Sequence, residues 1–203
     1  MIGIINYGVG NIQSVLNAFQ MLPRPVAVLT EPVLLARCDK IVLPGVGSFG
    51  ACVERLTRTG FRDALLEEVV DKRKPLLGIC VGMQMLADVG LEFGEHPGLG
   101  LIPGRVELIP KTDPQLRIPH IGWNDLEIRK ECPILKGIRG ETACYFVHSY
   151  HLKAARVADV DAVVHYGGEV TAVVSRDHIF GIQAHPEKSQ RVGLKILENF
   201  VKL

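Results

Sequence analysis

The 203-residue chain carries 23 Lys and Arg against 22 Asp and Glu, a formal charge of +1, with 47% hydrophobic and 22% charged residues. That balance excludes a polybasic footprint for nucleic acid or for an anionic membrane surface, and it is ordinary for a globular protein. The length predicts one domain over residues 1–203, no apolar run approaches the ~18 residues that span a bilayer, and the opening MIGIINYGVGN lacks the basic segment of a signal peptide, so a cytoplasmic setting is expected.

In chain order, residues 2–6 form a short apolar strand that feeds Gly8 and Gly10. Residues 12–21 are predicted helical, from apolar residues at Ile12, Val15, Leu16 and Phe19, and Pro23 and Pro25 stop the helix. Residues 26–29 and 40–43 are predicted strands, the second followed by the turn Pro44-Gly45-Val46-Gly47. Helical spacing returns over 53–70 with a break at Gly60, then a strand at 75–80 and a helix start at 83–88. Continuous apolar strands alternating with helices imply an α/β fold with a mostly parallel central sheet flanked by helices. Beyond residue 93, Gly and Pro punctuate the chain, and shorter strands are expected at 104–109, 145–152, 162–164, 171–175 and 179–183, with a closing helix at 192–201. Gly and charged turns between them predict an antiparallel section in the C-terminal half, grafted on the same sheet.

Five cysteines, at 38, 52, 80, 132 and 144, form no CxxC pair and give neither a disulfide framework nor a zinc ribbon. Only Cys80 has a reactive setting. Gly78-Ile79-Cys80-Val81-Gly82 sits between a predicted strand and a predicted helix, the arrangement of a nucleophile elbow with Cys in place of Ser. Glycines on both sides admit a strained turn, the helix N-terminus favours a thiolate, and the Val81 N–H is free to face an oxyanion. On the pentapeptide alone, a buried structural cysteine in a βα turn remains an alternative.

A nucleophilic cysteine needs a base, which usually comes from far along the chain. His185 ends an apolar run, Pro186 fixes the chain after it, and Glu187 is placed to turn back on the ring and orient it. Taken alone, a histidine at a strand end is ordinary; pairing with an elbow cysteine is what singles it out. His148 and His151 fall on opposite faces of a strand, so no metal site is expected from them. The GxG at Gly45 and Gly47 lacks the third glycine of a dinucleotide loop, but a mobile Gly45–Val46 peptide suits a second oxyanion donor.

These residues resemble the class I (triad) glutamine amidotransferases. The resemblance is carried by Gly78 to Gln84 and His185-Pro186-Glu187, and more narrowly by residues 6–11, 43–49, 97–104, 119–124, 145–150 and 185–189, in family order over essentially the whole chain. The narrower motifs are similar to those of the glutaminase subunits of imidazole glycerol phosphate synthase. The resemblance implies a flavodoxin-like class I amidotransferase fold, with Cys80, His185 and Glu187 as nucleophile, base and orienter. It implies oxyanion donors at Val46 and Val81 and glutamine contacts at Gly47, Gln84, Glu92, Ser149 and Tyr150. Asn11, Trp123, Tyr145 and Lys188 match positions near a (β/α)8 cyclase/synthase subunit, the expected heterodimer partner. L-glutamine is the implied substrate, with no cofactor, no metal, no nucleic acid and no membrane. One departure is Ala184, where the family usually carries a large apolar residue; altered packing is expected there, not lost chemistry.

Overall fold

The computed structural model of the chain describes residues 1–140 and 142–203. Its first half runs β1 (Ile2–Ile5), α1 (Ile12–Gln20), β2 (Val26–Leu29), β3 (Lys40–Gly45), α2 (Phe49–Arg58), α3 (Phe61–Leu66), β4 (Leu76–Cys80) and α4 (Val81–Gln84). Short strands β5 (Val89–Gly90), β6 (His96–Pro97), β7 (Gly104–Leu108), β8 (His120–Asp125) and β9 (Glu127–Ile128) follow. The chain ends with β10 (Ala143–His148), β11 (Tyr150–Ala154), β12 (Val160–His165), β13 (Glu169–Arg176), β14 (Ile179–Ile182) and α5 (Gln190–Lys202).

Eight strands form the central sheet in the order β2-β1-β3-β4-β14-β13-β12-β9. β1 to β4 and the β4–β14 pair are parallel, while β13, β12 and β9 add antiparallel to β14. The mixed sheet matches the expected α/β class. β1, β3, β4 and β14 are buried at every position, which is why their sequences read as continuous apolar runs and not as alternations. The helices that cover the sheet show the complementary stripe: α2 buries Phe49, Cys52, Val53 and Leu56, the spacing of one helix face.

Three expectations change. The helical stretch predicted over 53–70 starts earlier, at Phe49; the break expected at Gly60 is there, with a φ of +77° in the left-handed region. The helix predicted over 83–88 is the single turn α4. Its continuation is blocked because the carbonyls of Met85, Leu86 and Ala87 accept from the amides of Leu99, Leu101, Ile102 and Gly100 instead. The strand predicted over 145–152 is two strands that part at Ser149: β10 pairs with β8 in a two-stranded ribbon, and β11 joins β7, β5 and β6 in a separate four-stranded sheet. No helix among the described residues is long and apolar enough to cross a membrane.

Candidate active site

The turn from β4 into α4 puts Cys80 at φ 55° and ψ −114°, a region costing an ordinary residue about 1–3 kcal/mol. Two glycines make this geometry possible. A Cβ on Gly78 would lie 2.6 Å from the Gly82 carbonyl oxygen, and a Cβ on Gly82 would collide with the Leu43 carbonyl oxygen. The strand β3 therefore presses against the elbow from the side, with Gly45 in register with Cys80. Among the other thiols, burial raises Cys38 and Cys52, and it pushes Cys132 and Cys144 up to about 12, where they are inert at neutral pH.

His185 reaches the same place from the far end of the sequence. β14 runs parallel to β4 with Ile182 opposite Ile79, so both chains emerge at one end of the sheet. The His185 Nδ1–H donates to Glu187 Oε1 at 2.8 Å, and both side chains are buried, at 4% and 1% exposure. Because a carboxylate only accepts, this bond puts the neutral ring's proton on Nδ1 and leaves Nε2 as the free base. Burial opposes charge on the ring, but the Cys80 sulfur and the Glu187 carboxylate outweigh it and raise His185 to about 9. Nε2 has no hydrogen-bond partner of good geometry among the described residues, and the Cys80 sulfur is the first of the groups that raise the ring; catalytic contacts of this kind tighten when substrate binds. Ala184, fully buried, points to the opposite face from His185.

A cavity of about 300 Å³ opens above these groups, at the small end for a ligand site. Cys80, Val81 and His185 form part of its lining, Val46 and Gly47 border it on the β3 side, and Gln84, Glu92, Ser149 and Tyr150 complete the set expected from sequence; Lys188 stands at its margin. Glu187 sits behind the ring. The Val46 loop is held by side chains that sequence reading passed over: Tyr7 Oη–H donates to the Pro44 carbonyl at 2.9 Å, and the Cys52 thiol donates to the Val46 carbonyl at 3.3 Å. Glu92 Oε2 accepts from the Phe49 N–H at 2.7 Å, tying the loop after β5 to the first turn of α2.

Beside the cavity runs a second polar chain. The Tyr150 carbonyl accepts from Gln84 Nε2–H and from His148 Nδ1–H, each at 2.9 Å. His148 Nε2 must then accept from His120 Nδ1–H at 3.1 Å, and Asn124 Nδ2–H reaches His120 Nε2 at 3.4 Å. Burial lowers His120 to about 4 and His148 to about 3, so the pair is neutral at physiological pH. His120 is stacked between Phe146 and Tyr166, with ring centroids 5.0 and 4.0 Å away.

The outer face of the β8–β10 ribbon is apolar and exposed. Register sets Trp123 against Tyr145 and Ile121 against Val147; Trp123 is 50% and Ile121 59% exposed. The Trp123 and Tyr145 rings meet edge to face at 5.9 Å, and Lys188 Nζ lies 5.8 Å from the Tyr145 centroid. Asn11 is exposed ahead of α1, without a side-chain capping bond, and α1 lies against the turn that contains Lys188.

Comparison with known proteins fits this geometry. Residues 4–203 match the family described as glutamine amidotransferase class-I. The chain is 47% identical to the imidazole glycerol phosphate synthase subunit HisH of Ruegeria pomeroyi, covering 98% of this chain and 96% of that one. It is 45% identical to subunit HisH 1 of Campylobacter jejuni over the full length of both. Among solved structures, a glutamine amidotransferase superimposes with a TM-score of 0.75 at 18% identity, covering 99% of this chain and 97% of the other. The glutaminase domain of Trypanosoma brucei CTPS gives 0.68 at 17% identity, covering 99% and 93%. At such identities the structural matches speak to the fold alone.

Proposed function

The chain belongs to the class I glutamine amidotransferases, in their imidazole glycerol phosphate synthase HisH branch, and from that premise we propose that Cys80, His185 and Glu187 hydrolyse glutamine and that the ammonia passes to a (β/α)8 synthase subunit. It is the glutaminase subunit of imidazole glycerol phosphate synthase, in histidine biosynthesis. The observation that carries the residue assignment is the meeting of the strained thiol and the Glu187-backed imidazole in one cavity, more than a hundred residues apart in sequence.

His185, raised to about 9, takes the thiol's proton as the sulfur attacks the side-chain amide carbon of glutamine. The oxyanion that forms is received by the N–H groups of Val81 and Val46; one such donor is worth about 3 kcal/mol. Collapse of the tetrahedral adduct breaks the C–N bond as His185 gives its proton to the departing ammonia. His185 then takes a proton from water, hydroxide adds to the γ-glutamyl thioester, and glutamate leaves as the thiol is reprotonated. Gly47, Gln84, Glu92, Ser149 and Tyr150 hold the substrate, Glu92 facing its ammonium.

The partner docks on the exposed Trp123–Tyr145 face together with Lys188 and Asn11. The size and apolarity of that face support this reading. Rotation of the Gly45–Val46 peptide would switch one oxyanion donor, and the bonds to the Pro44 and Val46 carbonyls mark the hinge points on either side. The five free thiols, one of them catalytic, support a reducing, cytoplasmic setting. Co-purification with a (β/α)8 synthase subunit, followed by glutamine- and ammonia-dependent turnover, tests the proposal. Cys80→Ala should abolish the first and preserve the second; glutamine use by that variant would overturn the assignment.

A further inference from the structure

The Cys80 sulfur needs a partner when it loses its proton, and the helix that follows it is a poor one. α4 has four residues, too few for a developed macrodipole. His185 Nε2 has no hydrogen-bond partner of good geometry among the described residues, and its proton must leave with the ammonia. What does reach the sulfur is an amide: Gln183 Nε2 lies 3.8 Å from Cys80 Sγ. Gln183 is fully buried. It follows β14, which ends at Ile182, and precedes His185 by two residues, with its side chain turned to the elbow sulfur. Gly181, two residues earlier, lies against the Met83 side chain of α4.

The polarity of this amide follows from a single backbone carbonyl. The Tyr150 oxygen only accepts, so the Gln84 end facing it, at 2.9 Å, must be the NH₂. The second N–H of that group meets Gln183 at 3.1 Å and requires an acceptor, which fixes Gln183 Oε1 there. The remaining end of Gln183, directed at sulfur, is therefore its NH₂. The reverse orientation would set the Gln183 NH₂ against the Gln84 N–H and the Gln183 oxygen against the thiolate, losing a buried hydrogen bond at one end and adding repulsion at the other.

We infer that Gln183 is a catalytic residue, whose side-chain N–H donates to the Cys80 sulfur and holds it as the attacking thiolate. The inference rests on the reading of Cys80 as nucleophile and adds the group that stabilises its charge. Donor and sulfur are linked through Gln84 to Tyr150, so strand β11 sets the aim of an amide carried by the segment just after β14.

Two measurements on the complex with the synthase subunit test it. The first is the pH dependence of Cys80 alkylation by iodoacetamide, read at the Cys80 peptide by mass spectrometry. Gln183→Met, similar in size but without a donor, should move the midpoint up by about one pH unit, the scale of one hydrogen bond to a charged group. At pH 7 glutaminase kcat should fall about tenfold with KM within about twofold. An unmoved midpoint in the folded variant, or a rise in KM alone, would show that Gln183 only positions Gln84. The second needs no change at 183: the side-chain amide protons of ¹⁵N-labelled Gln183 should titrate with Cys80 in the wild type and not in Cys80→Ser. A pH-independent resonance in the wild type overturns the inference. Cys80→Ala separates the two readings. If it keeps glutaminase activity, the nucleophile assignment fails; if it loses activity while both titrations miss, only the role of Gln183 fails.

Discussion

The two halves of the chain contribute to the site in different ways. The first works through backbone. β3 and β4 bring a strained Cys80, the amides of Val81 and Val46, and glycines that let two chains touch. The half that follows residue 140 works through side chains: His185, Glu187 and Gln183 around β14, with the Tyr150 carbonyl of β11 ordering the polar groups between them. A backbone device tolerates no added atom, because its neighbours are main chain and cannot move aside. A side-chain network tolerates isosteric change in shape but not in proton inventory. Substitutions in the first half should therefore cost fold and activity together, and those in the second should cost rate and pH response with the fold retained.

The largest effect is expected at Gly82→Ala, where the new methyl collides with the Leu43 carbonyl. Urea unfolding should show a loss of about 3 kcal/mol or more, and glutamine turnover should vanish with it. A stable, active Gly82→Ala chain would break the contrast from the backbone side. Next comes Glu187→Gln, which keeps the shape behind the ring and removes the charge. Its thermal midpoint should stay within a few degrees while kcat drops about 10³-fold, because the carboxylate no longer orients the ring or stabilises the imidazolium. Loss of fold with the rate would instead make Glu187 a structural residue.

The pH dependence of stability is a smaller, opposed pair of effects. His185 is raised from 6.5 to about 9, so its contribution is fully present below pH 6.5 and is lost as pH climbs through 9. His120 and His148 are lowered from 6.5 to about 4 and about 3 by burial. Their contribution is present above 6.5 and is lost as pH falls towards those values. Urea unfolding at pH 4.5, 6.5 and 9 should give the greatest stability at the middle value, and Glu187→Gln should flatten only the alkaline limb. The smallest change is expected at Trp123→Ala. The ring is half exposed on the ribbon, so glutaminase activity of the isolated chain should stay within about twofold and stability within about 0.5 kcal/mol. Affinity for the synthase subunit, measured by titration calorimetry, should fall at least tenfold if that face carries the interface.

The same contrast explains what could be read from sequence. Backbone devices leave local marks: Gly78 and Gly82 flank Cys80, and Pro44-Gly45-Val46-Gly47 follows an apolar strand, so both loops were legible as motifs. Strands buried on both faces were equally legible, and the apolar run at 40–43 lies within β3, Lys40–Gly45. Side-chain networks leave weaker marks. Gln183 lies two residues before His185 and shares its face, which alternation could have revealed, but a glutamine in an apolar strand gives no hint of the sulfur it touches. β8 was missed because it sets Ile121 and Trp123 outward and turns His120 and Asn124 inward, to partners on β10 and at residues 165–166. The short α4 was overestimated because the apolar residues after Gln84 read as helix, while residues 99–102 take the carbonyls a helix would need.

The meeting of the two halves is tested by trapping the nucleophile. A glutamine-shaped diazoketone electrophile should label the chain once, at Cys80 by peptide mass spectrometry, and the labelling rate should fall at least a hundredfold in His185→Asn with the fold intact. Labelling at another cysteine, or at Cys80 with the same rate when the imidazole is gone, would contradict the shared site.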